Sequence, residues 1–201
     1  MCLLERGGGS GHLMGMQLKD IQFLDDATRP PVPVIDGVTE EQREAGNHLR
    51  DIHDYLRANL ATLGTLIERA SAGEVTPQAV RNEVEGLALV ANYRRFGNVC
   101  GQYCQLIHKH HTIEDRALFP ALAKRSPALK AVVERLEAEH EHVHQLVEML
   151  VGAIIALNDS PDRSQFDETV AIFRALEKLL LSHFRYEEES IIDALGFYGI
   201  L

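Results

Sequence analysis

The chain lacks several things that would point to particular functions. No uncharged apolar run reaches the roughly 18 residues a membrane span needs, so a transmembrane helix is excluded. Cysteine is scarce: three residues, an odd number, which is no disulfide framework and favours a reducing cytoplasm. Positive charge is in deficit, with 20 Lys+Arg against 30 Asp+Glu and a net charge of −10, the opposite of a nucleic-acid footprint. Tryptophan is absent. There is no strand alternation and no hairpin turn flanked by it, since Asp36-Gly37 lies in a proline-rich stretch. What remains is a globular composition, 45% hydrophobic and 25% charged in 201 residues, long enough to bury a core as one domain. Histidine is the anomaly: ten residues, most of them clustered.

Punctuation divides the chain. Gly7-Gly8-Gly9-Ser10-Gly11 is flexible-linker composition, so the first residues read as a tag-like or flexible leader. Pro30, Pro31 and Pro33 make an extended arm, giving a leader and arm over 1–38 and a folded domain over 39–201. Thr39 and Gln42 have the spacing of a capping box. Leu49, His53, Leu56, Leu60, Leu63 and Ile67 then form one helical stripe. Thr76-Pro77 opens a second helical region, which carries Phe96, Cys100, Tyr103, Ile107, His110, Glu114 and Leu118 and ends near Ala123. Ser126-Pro127 opens a third helix with Val132, Leu136, His140, Val143, His144 and Val147. After the turn cluster at Asn158–Asp162, a fourth carries Phe166, Phe173, Leu180, His183, Glu187 and Ile191 and stops near Gly196. Four amphipathic helices with mostly short joins predict an all-α, up-down four-helix bundle with an irregular N-terminal arm.

Seven polar residues fall on stripes that should face the core: His53, His110, Glu114, His140, His144, His183 and Glu187. Buried imidazoles and carboxylates without partners cost several kcal/mol, about what a lost hydrogen bond or ion pair costs. Their spacing suggests what compensates them. Residues i and i+4 share a helix face, so His110–Glu114, His140–His144 and His183–Glu187 are three pairs on three helices, and His53 adds a seventh group from a fourth. Nitrogen-rich donors suit first-row transition metals rather than calcium or magnesium. Seven donors are too many for one tetrahedral zinc, and fit two metals bridged by two carboxylates. Two iron ions are the natural reading.

Single features have blander readings. A lone histidine on an apolar stripe is usually a core residue bonded to a carbonyl, and only the combination points to metal. By phase, Glu187 is favoured over Glu188, five residues past His183, and His53 over His48. His48 inward would make Tyr55 a possible phenolate ligand. His108, His111 and His142 point away by phase, onto solvated faces. Tyr103 is core or reaches the metal pocket. Cys100 and Cys104 read as buried thiols with poor geometry for a disulfide.

The segments Ile52–Arg57, His110–Asp115 running to Leu118-Phe119-Pro120, Glu139–His144 and His183–Glu188 together resemble the hemerythrin-like, HHE cation-binding family, over roughly Glu44 to Leu195. The resemblance implies an up-down four-helix bundle around a non-heme di-iron centre, oxo- or hydroxo-bridged. It does not fix one activity, since the family includes oxygen carriers, sensors, and proteins that react with peroxide or nitric oxide. The flavour of the motifs resembles stand-alone actinobacterial members linked to nitric oxide and peroxide handling. The expected partners are therefore O2, H2O2 and NO, with no nucleic acid and no membrane. No dedicated acid–base residue is evident. Peroxidase-like chemistry is weighed against dioxygen storage or sensing, and oligomeric state is left open.

Overall fold

The computed structural model describes residues 17–71, 99–159 and 163–200, apart from the side chains of 66–71, 99–105 and 157–159. The expected helix start at Thr76-Pro77 and the side chains of Cys100, Tyr103 and Cys104 lie outside the described residues. Among those described there are only helices: α1 (Glu40–Gly46), α2 (His48–Ser71), α3 (Val99–Ile113), α4 (Phe119–Ala123), α5 (Pro127–Asp159) and α6 (Arg163–Tyr198). Two short 3-10 turns, Leu18–Asp20 and Asp26–Thr28, precede them.

Local chemistry sets the boundaries. Thr39 and Gln42 form the reciprocal capping box that starts α1. The first helix is not continuous, since Asn47 separates α1 from α2. Ser126 Oγ accepts the Leu129 amide at the start of α5. Gly199, with φ +62°, takes the left-handed conformation that follows the end of α6. α3 passes into α4 through a π-helical turn, Glu114–Leu118, where the Phe119 amide bonds the Glu114 carbonyl. Pro120 offers no N–H to the carbonyl four residues back and its ring crowds that group, so a widened turn just before it relieves the clash.

The core is two apolar layers separated by a polar one. One layer joins Leu56 and Leu60 of α2, Ile107 of α3, Val143, Leu146 and Leu150 of α5, and Phe173, Leu176 and Leu180 of α6. The other joins Leu49, Phe119, Leu122, Leu129, Leu136, Ile191 and Leu195. Along α2 and α5 the chain runs from the second layer to the first. Along α3–α4 and α6 it runs back. That alternation is the up-down four-helix bundle expected from the sequence. Each fully buried Leu or Phe contributes about 1.5–3 kcal/mol, which sets the scale of what the polar layer between them must not undo. α1 closes one end: a Cβ on Gly46 would lie 2.3 Å from the Ile192 carbonyl oxygen, and one on Gly196 1.8 Å from that of Gln42. Backbone meets backbone there because both positions lack a side chain. No helix of the described residues is long and apolar enough to cross a membrane.

Candidate metal centre

Between the apolar layers lie His53 on α2, His110, His111 and Glu114 on α3 and the turn after it, His140 on α5, and His183 and Glu187 on α6, all buried. Their donor atoms form two groups, each within 4.8 Å: His53, His110, Glu114 and Glu187 in one, His111, His140 and His183 in the other.

Six of the seven residues expected from helical phase are brought together here. The seventh position differs. His111, expected on a solvated face, is fully buried, and its ring stacks on His140 at 3.7 Å and 5°. His144, expected inside, is half-buried and stands behind His111, its Nε2 3.3 Å from His111 Nδ1. The reason is lateral. α3 faces two neighbours at once, so adjacent residues about 100° apart both point inward, His110 toward His53 and His111 toward His140. The signal available in the sequence was the doublet His110-His111 followed by Phe119-Pro120, since Phe119 rather than Leu118 fills the core after the π turn.

Position sorts the remaining polar residues near the centre. His48 is exposed and Tyr55 is 47% exposed. Glu188 lies outside the inner group, accepting from His53 Nδ1 at 2.8 Å and from Arg57 at 2.6 Å. His142, expected on a solvated face, is half-buried, with its ring nitrogens 2.9 and 2.8 Å from the carbonyl oxygens of Ala138 and Gln22. His108 is exposed, as its phase predicts.

Hydrogen bonding outside the cluster fixes which nitrogen faces in. His53 Nδ1 meets Glu188 at 2.8 Å, His140 Nδ1 meets Asp115 at 2.8 Å, and His183 Nδ1 meets Glu139 at 3.0 Å. A carboxylate accepts, so each Nδ1 carries a proton and each Nε2 is the nitrogen turned to the interior. Those Nε2 atoms converge: His53 and His110 at 2.9 Å, His140 and His183 at 3.1 Å. Two carboxylates span the groups. Glu114 places Oε1 3.2 Å from His110 Nε2 and Oε2 3.8 Å from His140 Nε2. Glu187 Oε2 lies 3.4 Å from both His53 and His183 Nε2. Both oxygens of each carboxylate, and His111 Nε2, are buried without completing a hydrogen bond.

Such a cluster needs positive charge. Without a cation it takes protons instead. Burial opposes charge on His183, but the Glu139 and Glu187 carboxylates outweigh it and raise its pKa to about 9. His53 is raised in the same way, burial being outweighed by Glu187 and Glu188. Burial pushes His110 down to about 3 and holds His111 well below the ordinary value. Burial and the facing Glu187 push Glu114 well up, whereas His53 and His183 hold Glu187 well down against its burial. Converging ring nitrogens and orphaned carboxylate oxygens are what divalent cations satisfy, and imidazole with carboxylate suits first-row metals. The donor set thus fits metal.

No curated protein and no solved structure matches the chain. A family model does, the hemerythrin HHE cation binding domain, over residues 44–195, which takes in every residue of both groups. With that match covering most of the chain, this protein belongs to the hemerythrin family of HHE cation-binding domains.

Proposed function

We propose that the chain holds two iron ions and reacts with a small ligand, hydrogen peroxide or nitric oxide. The observation that carries this reading is the bridging of two imidazole groups by Glu114 and Glu187. The ligands would be His53 and His110 on one side and His111, His140 and His183 on the other, with both carboxylates shared. Iron would supply an electron store and a Lewis acid for the bound small molecule.

The protein's own residues do the rest. Glu188, Asp115 and Glu139 hold the Nδ1 protons, and so orient the rings with Nε2 inward and make those nitrogens stronger donors to metal. Phe184 stacks on His53 at 4.3 Å and Phe119 on His140 at 5.4 Å, walling the centre from water. The side with two imidazoles has one nitrogen donor fewer, which favours it as the place where an exogenous ligand binds. A surface groove of about 410 Å³ borders that side, with Ile52, Tyr55, Leu106, His110 and Ile113 along it and Asp51 and Lys109 at its polar edge. An apolar approach of that size admits a diatomic or peroxide.

Metal analysis and stopped-flow mixing test the proposal together. Iron-supplied protein should carry two iron ions per chain, and its oxidised form should consume peroxide or bind nitric oxide. His111→Ala should lose metal, with His144→Ala losing less. Full metal retention in His111→Ala would return the seventh position to His144. Reversible oxygen binding over many cycles, with peroxide and nitric oxide untouched, would replace the reaction with carriage.

A further inference from the structure

Glu139 is the least expected member of the centre. Its carboxylate is 1% exposed, yet it lies on the far side of His183 from the interior and belongs to neither donor group. Four donors hold it. His183 Nδ1 lies 3.0 Å from Oε2, and Arg135 Nε 2.7 Å from Oε1. The other two come from one residue, Arg29, whose Nε donates to Oε1 at 2.8 Å and Nη2 to Oε2 at 3.0 Å. Arg29 precedes the family-matched region of 44–195.

Arg29 is itself well fastened. Its Nη1 donates to Ser182 Oγ at 2.9 Å, and its guanidinium lies 4.7 Å over the Tyr186 ring. Around it the arm is tied to α5 and α6. Tyr186 donates to the Pro30 carbonyl at 2.9 Å, Ser182 to Asp26 at 2.6 Å, and Arg135 to the Asp25 carbonyl at 2.9 Å. Ile21 is buried in the core layer. The arm is therefore laid across the α5–α6 groove at the depth of His183, with its one buried guanidinium aimed at the carboxylate behind that ring.

The geometry points to Arg29 as a positioning residue of the metal centre. It holds Glu139 with a two-pronged bridge, and Glu139 in turn holds the ring and tautomer of His183. The inference rests on the metal reading above. A forked guanidinium fixes the plane of a carboxylate, which an ammonium cannot do. Without the fork Glu139 loses two of its four donors and is free to rotate, and the Nδ1 partner of His183 is no longer set. Disturbing the partner of a ligating histidine typically costs about 10–100-fold in metal affinity.

The full chain is compared with Arg29→Gln, Arg29→Lys and, as a surface control, Arg43→Gln. Metal release to a chelator is timed after loading with cobalt(II) or iron(II). The His183 tautomer is read by long-range nitrogen–proton NMR in metal-free protein at a pH high enough for the ring to be neutral, with a single proton, and helix content by circular dichroism. Arg29→Gln should keep its helices, lose the single Nδ1–H tautomer, and release metal about 10–100-fold faster. Arg29→Lys, which preserves the charge and guards against simple misfolding, should restore neither readout in full. Arg43→Gln should match the parent protein. An unchanged tautomer and release rate in Arg29→Gln overturns the inference, as does full rescue by Arg29→Lys. His110→Ala is run alongside: metal loss there with an unchanged Arg29→Gln refutes only the role of the arm. Retention of metal in His110→Ala refutes the metal reading itself, with the tautomer still reporting on Arg29.

Discussion

Removing metal should make this protein less stable as the pH rises. In the metal-free site His183 keeps its proton up to about pH 9, against 6.5 for an ordinary histidine. Above 6.5 the unfolded chain has released a proton that the folded site still binds. The contribution of His183 is thus complete below 6.5 and lost as the pH passes through 9. A gap of that size corresponds to about 3 kcal/mol. His53, which starts from the same ordinary value, is raised in the same direction and adds to it. For a chain of this length each kcal/mol moves the Tm by about 2–4 °C, so the metal-free Tm should fall by about 6–12 °C or more between those two pH values. On the acid side the sign reverses. His110 is held neutral down to about pH 3, so below 6.5 the unfolded chain gains protons that the folded site refuses. Stability of the metal-free form should therefore peak near an ordinary histidine pKa. With metal bound, the cation replaces those protons, the alkaline loss should disappear, and loading should release protons. Calorimetric melts of chelator-treated and metal-loaded protein across this range measure all three effects. A metal-free Tm equal or higher at pH 9 than at 6.5 would refute the charge balance described above.

Four further outcomes follow from packing. Gly196→Ala should destabilise by about 1–3 kcal/mol in denaturant melts, because its Cβ would lie 1.8 Å from the Gln42 carbonyl oxygen. Gly152→Ala, with nothing within 4 Å of its Cβ inside α5, should instead stabilise by about 0.5–1 kcal/mol. Phe184→Ala should cost about 3–5 kcal/mol, since a fully buried ring packed on His53 and His183 leaves a cavity beside the centre. His142→Ala should leave metal content unchanged and shift stability by about 1 kcal/mol or less, as it loses only contacts to two backbone carbonyls.

Periodicity alone carried the reading a long way. Steps of three and four residues were enough to put His53 inside and His48 outside, and Glu187 inside and Glu188 behind it. The bundle, the Thr39 capping box and the Ser126-Pro127 start were legible for the same reason, because each depends on residues within a turn or two of one another. Tertiary structure decided whatever depends on which helices are neighbours. Helical phase assigns each helix one inward direction, but α3 faces α2 on one flank and α5 on the other, so both His110 and His111 are buried and His144 is displaced behind them. The partners of the ring nitrogens were likewise hidden from the sequence. His53 and Glu188 are 135 residues apart, His183 and Glu139 44, and Arg29 and Glu139 110. Helical spacing carries no information across such separations; side chains that far apart meet only because the bundle and the arm across it fix their distance in space.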